Sequence, residues 1–293
     1  MKLTKKIHYY FVLHLTVLIW GITGVLGKLI SLPSFAIVID RMLIAYIALA
    51  SLLFFKKKEV VKWKYRWQMY LVGIITAAHW VTFFESLKVS NVSLTLSCLA
   101  SCSFFISILQ PLFNNSKLKI YELVLGLFVI IGIYIIFSFE GNFTLGIVLS
   151  VISALLAAVF SLWNANLIKH NSAYSITLNE MLAGFISVLV YFSFQDNFSI
   201  YTIIPSGIDW LYILILGVIC TAIAFLLGTE VLKKLSAFTV SITVNLEPVY
   251  GILLALWVFG DGEVMSSEFY IGVFIILATI IANAFFKSKE AKV

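Results

Sequence analysis

The sequence predicts an all-α membrane protein with ten transmembrane helices arranged as two inverted five-helix repeats. Its composition, its ten long apolar blocks and the similarity of its two halves predict this class. Of the 293 residues, 62% are hydrophobic and only 12% are charged, whereas soluble domains have about 45–50% apolar and about 25% charged residues. Long continuous blocks also favour helices over a transmembrane β-barrel, whose strands alternate in hydrophobicity. A soluble enzyme is therefore excluded.

Ten candidate spans are separated by polar breaks, and each is close to the roughly 20 residues that a helix needs to cross a bilayer. They cover residues 8–30, 35–55, 67–87, 91–113, 121–138, 144–168, 175–194, 209–229, 238–259 and 269–286. The first run follows a basic start and so resembles a signal peptide. It is too long for one, and no small-residue cleavage site follows it. We interpret it as an uncleaved first span.

The lysine and arginine residues predict the orientation of the chain. With the N-terminus inside, most of the 20 basic residues fall in the predicted inner segments. The predicted outer loops carry acidic residues instead, namely Glu140, Asp196, Asp209, Asp261 and Glu263. We therefore expect a multi-pass protein of the cytoplasmic (inner) membrane with both termini in the cytoplasm. The positive charge faces anionic lipids and does not indicate a nucleic-acid partner.

The two halves, residues 1–140 and 141–293, resemble each other. Three sets of residues recur in order: Thr76-Ala77 with Glu85 and Thr221-Ala222 with Glu230, Arg41-Met42-Leu43 and Glu180-Met181-Leu182, and Gly126 and Gly272. Each half has five predicted spans. Because five is an odd number, the second half begins on the opposite side of the membrane and is inverted relative to the first. Inverted repeats are typical of secondary transporters, in which they supply two related states that open to opposite sides. Duplication also builds passive bundles, so this interpretation stays open at this point.

Several motifs resemble one transporter family. Asn245-Leu246-Glu247-Pro248-Val249 in span nine is followed by Glu263 and Gly272, and Trp20-Gly21 in span one is followed by Arg41 and Ala45 in span two. This order resembles the EamA type of the drug/metabolite transporter superfamily. The first-half proline and loop glutamate of that pattern would fall near Ser103 and Lys117, and both are absent. The resemblance implies a ten-span protein that exports or exchanges small metabolites.

Span nine holds the strongest candidates for a site, because a charge at bilayer depth costs several kcal/mol and needs a reason. Pro248 lacks a backbone N–H and is the expected hinge. Glu247 and Asn245 beside it are predicted to bind a ligand amine or take up a proton. The alternative is that both only form hydrogen bonds with neighbouring helices.

Arg41 and Glu180 occupy equivalent positions in the two halves and have opposite charges. Because the repeats are inverted, we expect the two side chains toward opposite membrane faces, without a direct salt bridge. Arg41 is predicted to bind a ligand carboxylate, or else to pair with Asp40 or extend to the interface. Glu180 is a second candidate for proton exchange. Glu85 and Glu230 each precede a lysine by three residues and are expected to form local ion pairs.

Four aromatic or imidazole side chains within the spans are further candidates. His79 is predicted either to relay protons or to be a hydrogen-bonded packing residue. Trp20, Trp80 and Trp163 are expected to form walls of a cavity for planar or amphipathic solutes. Asn164 and Asn166 cannot share a helix face, so at most one of them is expected on the pathway.

No catalytic motif occurs in the sequence. It has no Walker A loop, no G-x-S-x-G elbow and no H-E-x-x-H pair, so we expect no catalytic residue, cofactor or metal. The predicted function is a secondary transporter that moves amino acids or other amphipathic metabolites outward by alternating access. Its partners would be the solute, the lipid bilayer and an exchanged proton or solute, with no nucleic acid. A non-transporting scaffold or receptor-like bundle and an integral-membrane lipid enzyme are the alternatives.

Overall fold

The chain folds into helices that run back and forth between two ends of a bundle. The computed structural model describes residues 2–52, 59–114, 120–195, 199–244 and 246–290, and within these ranges no β-strand occurs. A π-helical segment, Ile215–Ile223, joins α9 to α10. The α-helices are α1 (Lys2–Leu29), α2 (Ser34–Ser51), α3 (Trp63–Val89), α4 (Val92–Leu99), α5 (Cys102–Asn114), α6 (Ile120–Phe139), α7 (Thr144–Leu167), α8 (Ala173–Ser193), α9 (Asp209–Leu214), α10 (Ala224–Val231), α11 (Ala237–Val244), α12 (Glu247–Phe259) and α13 (Ser267–Glu290).

Among the described residues, seven helical stretches are long and apolar enough to cross a membrane, judged by length and composition. They are His8–Leu29, Ser34–Ser51, Trp63–Val89, Val92–Phe113, Thr144–Leu167, Ala173–Ser193 and Asp209–Val231. Each coincides with a predicted span, which confirms an all-helical, multi-pass membrane protein. The fifth and tenth predicted spans coincide with α6 and α13, whose apolar stretches are shorter. The ninth is divided between α11 and α12, so the count of ten spans stays a prediction.

Two of the predicted spans are interrupted at equivalent places. Helix α4 ends at Leu99 and α5 begins at Cys102, and α12 begins at Glu247, 145 residues after Cys102. Pro248 is the second residue of α12 and lies in its first turn, where its missing N–H costs nothing. At the first break, the hydroxyls of Ser101 and Ser103 donate to the carbonyls of Cys98 (2.7 Å) and Ala100 (3.1 Å). Such serine bonds compete with the helix, so the first half is interrupted without a proline.

Helices α6 and α13 pack against each other in opposite directions. The ring of Tyr121, near the start of α6, lies 5.3 Å from the ring of Phe286, near the end of α13. Between these ends, Gly132 and Gly272 face each other, and a Cβ on either would lie 2.8–2.9 Å from the carbonyl oxygen of the other. Only glycine allows the two backbones to approach this closely.

Helices α2 and α8 are also antiparallel. The ring of Phe35 at the start of α2 stacks at 4.1 Å on Phe192 near the end of α8. At the other end of the pair, the Tyr174 hydroxyl donates to the carbonyl of Leu49 over 2.8 Å. This pair carries Arg41 and Glu180, and both of these side chains are buried in the interior of the bundle.

One end of the bundle, which we call the Lys28 end, is closed by hydrogen bonds between loops and helix ends. Lys28 Nζ donates to the carbonyls of Leu87 (2.7 Å) and Ser90 (2.6 Å). Asp209 accepts hydrogen bonds from Ser31. The carboxylate of Glu263 accepts hydrogen bonds from the first two backbone N–H groups of α4, over 3.0 and 2.7 Å. These contacts satisfy backbone groups that a helix end leaves unpaired.

The predicted ion pairs of Glu85 and Glu230 have different outcomes. Glu230 pairs with Lys233 at 2.7 Å, as expected. The pairing of Glu85 with Lys88 is wrong, because Glu85 accepts a hydrogen bond from Ser34 and Lys88 donates to the carbonyl of Ile30. Lys88 thus donates to the carbonyl of buried Ile30, just beyond α1, whereas the half-buried Glu85 carboxylate already has a donor in Ser34.

Candidate functional site

A cavity lies at the centre of the bundle. Its volume is about 140 Å³, which is close to the roughly 150 Å³ of an engineered apolar cavity that binds benzene. Helices α1 to α5, α7 and α10 to α12 contribute to its wall, whereas no described side chain of α6, α8 or α13 does. The candidates on the wall are Trp20, Arg41, His79, Trp80, Glu247 and Pro248. Residues far apart in the sequence therefore meet around one space large enough for a small ring.

Arg41 is held rigidly on the cavity wall with part of its guanidinium group free. Its side chain is 1% exposed, its Nε donates to Thr221 Oγ1 over 2.9 Å, and its guanidinium carbon lies 3.8 Å from the centre of the Trp80 ring. Within the described ranges, Arg41 Nη1 has no hydrogen-bond partner. Arg41 therefore neither pairs with Asp40 nor extends to an interface. Its free nitrogen can donate to a bound group.

The π-helical segment positions the partner of Arg41. Gly73 and Thr76 of α3 are three residues apart, whereas Gly217 and Thr221, at the equivalent places of the second half, are four residues apart. The second half thus has one extra residue, which the π-helical segment accommodates, and Thr221 Oγ1 donates to the carbonyl of Leu216, five residues earlier. Short π-helical insertions of this kind are frequent at functional sites. The insertion was visible as a change of repeat offset that sequence reasoning did not use.

Glu247 supplies an acidic group to the same cavity. It is the first residue of α12, its side chain is 8% exposed, and it forms no hydrogen bond to another described residue. The N-terminus of a helix favours a negative charge. Asn245, its predicted companion, lies outside the described residues. The cavity therefore has a carboxyl group on its wall in addition to the guanidinium group of Arg41.

Aromatic rings and a histidine complete the wall. Trp20 packs so closely on α10 that a Cβ at Gly228 would lie 2.7 Å from its ring. Trp80 meets Phe225 edge to face at 5.7 Å. His79 Nδ1 lies 2.8 Å from Ser153 Oγ and 2.9 Å from the Ser153 carbonyl. Both interpretations of His79 are thus compatible with its place, since it is hydrogen-bonded and also lines the cavity.

Two of the candidates lie away from the wall. Trp163 donates to Gln68 over 3.5 Å and meets Phe113 at 6.3 Å. Glu180 is fully buried behind the cavity, where its Oε2 accepts a hydrogen bond from Asn164 Nδ2 over 3.3 Å. Asn164 itself lines the cavity, whereas Asn166 accepts a hydrogen bond from Lys169. Asn164 is therefore the hydrogen-bonded link between Glu180 and the cavity among the described residues.

Several wall residues had no sequence signal. Phe160, Phe225 and Thr229 lie in apolar blocks like many others, and only packing selects them. Cys102 is different, because it lies on the wall 145 residues before Glu247, at the equivalent place beside the first helix break. In the part of the chain that the structure describes, no three His, Cys, Asp or Glu side chains are grouped to hold a metal ion.

Comparison with known proteins agrees with this architecture. The EamA-like transporter family matches the chain over residues 8–138 and again over residues 144–285. The chain belongs to this family. The family match confirms the resemblance of the sequence motifs to the EamA type of the drug/metabolite transporter superfamily. The protein is therefore a membrane transporter and not an enzyme.

Relatives of this EamA-like protein have transporter names but no stated substrate. The "Uncharacterized transporter YxxF" of Bacillus subtilis (strain 168) is 26% identical over 250 residues, which are 82% of this chain and 78% of the relative. An "Uncharacterized transporter" of Archaeoglobus fulgidus is 25% identical over 210 residues, 71% of this chain and 72% of the relative. A solved structure described as "Crystal structure of protein" is similar in fold, with a TM-score of 0.68 and 14% identity over 96% of this chain and 98% of that one.

Proposed function

We propose that this EamA-like transporter exports small amphipathic metabolites, amino acids above all, by alternating access across the cytoplasmic membrane. The observation that carries the proposal is the central cavity, whose wall includes both Arg41 and Glu247. An amino acid has a carboxylate for the guanidinium group and an ammonium for the carboxyl group. Its side chain would contact Trp20 and Trp80. Buried charged groups need partners, and a zwitterion offers both at once.

The fixed geometry of Arg41 favours selective capture of a carboxylate. Thr221 holds the Nε edge of the guanidinium group and Trp80 covers one face of it. A ligand carboxylate would therefore bind to the remaining nitrogens of a group that is already oriented. Binding to an ordered side chain loses less conformational entropy than binding to a mobile one, and an arginine fork matches the two oxygens of a carboxylate.

We infer that the chain has ten spans in two inverted five-helix repeats, residues 1–140 and 141–293. The two segments matched by the family support this division. The antiparallel pairing of equivalent helices, α2 with α8 and α6 with α13, is what a two-fold axis in the membrane plane requires. Inverted repeats provide two related states, each open to one side of the membrane. This architecture is the basis for alternating access in the proposal.

The proposed orientation gives the Lys28 end a role in this cycle. With both termini in the cytoplasm, the Lys28 end faces outward, and its hydrogen bonds through Lys28, Asp209 and Glu263 close the outer side. Export would break these contacts while the opposite end closes. The energy would come from exchange with a proton or another solute, because the sequence has no nucleotide-binding motif.

The central cavity also argues against a scaffold or receptor-like bundle. Arg41 Nη1 and Asn164 Oδ1 are buried without a hydrogen-bond partner in the described ranges, and both residues line the cavity. Leaving such groups unpaired costs about 1–3 kcal/mol each. A bundle without a ligand would gain stability from apolar residues at these places.

The proposal is tested by counterflow in proteoliposomes. Purified protein is reconstituted with an unlabelled amino acid inside, and entry of the radiolabelled amino acid is measured for a panel that includes N-acetyl and methyl-ester analogues. We expect exchange of free amino acids and loss of exchange for both analogue classes. Arg41→Ala should abolish exchange and Glu247→Gln should reduce it, whereas Glu230→Gln, on the exposed Lys233 pair, should not. Full exchange by both cavity variants, or no exchange of any solute by the native protein, would overturn the proposal.

A further inference from the structure

Glu180 lies in a site that lacks the partners of an ionised carboxylate. Its side chain is 0% exposed, and its hydrogen bond from Asn164 is long at 3.3 Å. Its Oε1 has no hydrogen-bond partner in the parts of the chain that the structure describes, and neither has Asn164 Oδ1. A buried charge is tolerated only when it is paired and hydrogen-bonded. The uncharged acid is therefore the form that fits this site.

The helices around Glu180 bring no compensating charge to it. Helices α2, α3 and α10 pack against α8, and α7 supplies Asn164. The charged or titratable side chains of these elements are Asp40, Arg41 and Tyr46 on α2, Lys64, Tyr65, Arg66, Tyr70, His79, Glu85 and Lys88 on α3, and Glu230 on α10, with none on α7. Among the described residues, none of them forms a hydrogen bond or ion pair with Glu180. The negative charge of an ionised Glu180 must therefore be neutralised by a bound ligand.

The site in the first half that is equivalent to Glu180 is occupied by Arg41. There, Arg41 is held by Thr221, and Gly217 packs against the Arg41 carbonyl, with 3.4 Å from a Cβ to the oxygen. Around Glu180 the same frame recurs, since Gly73 packs against the Glu180 backbone and Thr76 follows Gly73. Thr76 Oγ1, however, is buried without a described partner. One half thus holds a fixed positive charge, and the other holds an acid whose Oε1, like the Oδ1 of its partner Asn164, has no hydrogen-bond partner among the described residues.

We propose that Glu180 is the proton-binding site that couples solute export to the proton gradient, with Asn164 as its connection to the cavity. The proposal deepens the proposed function and rests on it. A hydronium ion that reaches the cavity gives its proton to the Glu180 carboxylate and leaves a water molecule. On the other side of the membrane, the neutral acid returns the proton to water. A proton needs no ligand shell, which suits a site so tightly packed that a Cβ at Gly73 would lie 2.4 Å from the Glu180 carbonyl oxygen.

The proton would shift the equilibrium between the closed and open conformations because Glu180 is buried in the closed one. Loss of the proton leaves an unpaired charge among α3, α7 and α8, and this charge favours a conformation in which water reaches Glu180. Binding of the proton removes that cost and favours closure around the neutral acid. A ligand shifts an equilibrium only by its different affinity for the two states, and burial of Glu180 in one of them provides this difference.

A spectroscopic experiment tests the site without any substrate. Infrared difference spectra of the lipid-reconstituted protein, recorded between acid and alkaline pH, report the carbonyl stretch of protonated carboxylic acids. We expect a carboxylic-acid band that Glu180→Gln removes and the control Glu230→Gln retains. If Glu180→Gln does not fold, Glu180→Asp is measured instead. In that variant the carboxylic-acid band should shift in frequency or in the pH at which it appears. A band unchanged by these Glu180 variants would overturn the proposal.

A transport experiment tests the coupling. In proteoliposomes with an amino acid that the native protein exchanges, Glu180→Gln should lose the accumulation driven by a pH gradient, whereas the control Glu230→Gln should retain it. Accumulation that survives in Glu180→Gln, or that follows a sodium gradient instead, would overturn the coupling role. If the native protein exchanges no solute, the proposed function fails, and the infrared band still decides whether Glu180 binds a proton.

Discussion

Arg41 Nε donates a 2.9 Å hydrogen bond to Thr221 Oγ1, 180 positions further along the chain. This contact joins α2 of the first half to the π-helical segment of the second half, directly beside the cavity. It fixes one edge of the guanidinium group and leaves Nη1 available.

Loss of the Thr221 hydroxyl is expected to weaken solute binding. Thr221→Val removes the acceptor of Arg41 and leaves the shape of the side chain nearly unchanged. A hydrogen bond to a charged group contributes about 1.5–3 kcal/mol, so the KM for a carboxylate-bearing solute should rise roughly 10- to 100-fold. The KM is measured from uptake at a series of solute concentrations. Thr279→Val on α13, whose hydroxyl bonds to its own helix, is the control, and equal KM values for the two variants would contradict the prediction.

Shortening the π-helical segment by one residue is expected to abolish transport. Deletion of Val218 restores the spacing that Gly73 and Thr76 have in α3, and it turns the preceding part of the helix relative to Thr221 by about 100°. Arg41 would then lose its partner, although the helix could regain regular hydrogen bonds. Uptake and thermal unfolding are measured together, with Val218→Ala as the control. A deletion variant that transports like the native protein would show that the extra residue has no role at the site.

The glycine contact between α6 and α13 is expected to be essential for stability. A methyl group at Gly272 would lie 2.8 Å from the Gly132 carbonyl oxygen, which is backbone and cannot turn away. Overpacking of this kind costs about 1–3 kcal/mol, so Gly272→Ala should lower the temperature of thermal unfolding in detergent. Gly262→Ala is the matched control, since no described atom lies within 4 Å of a Cβ there. Equal unfolding temperatures would contradict the close approach.

Removal of the Glu263 carboxylate is expected to loosen the Lys28 end. Glu263→Ala leaves the N–H groups of Val92 and Ser93 without their acceptor, and loss of a helix cap costs about 0.5–2 kcal/mol. The native thiol of Cys102 lines the cavity and reports on opening. A membrane-impermeant thiol reagent applied at the Lys28 end should label it faster in Glu263→Ala, with Cys102→Ser as the blank. An unchanged labelling rate would show that this contact does not control access.

Local patterns in the sequence were sufficient for the general architecture. Hydropathy predicted the helices because each span must present apolar side chains along its own length, and matching residues such as Glu85 and Glu230 indicated the duplication. No first-half proline marked the break near Ala100. There, hydroxyl groups of serines bond to the backbone, and this effect depends on side-chain conformation that composition does not show.

The site itself required the tertiary structure. Sequence alone marked Arg41, Glu180 and Glu247 as costly residues in apolar spans, because a charge in a hydrophobic segment is visible wherever it occurs. Only the packing decided that Arg41 meets Thr221 and lines the cavity, and that Glu180 lies behind Asn164 without a charged partner among the described residues. These contacts join positions far apart in the chain. They depend on how whole helices rotate and pack against each other, which no local pattern contains.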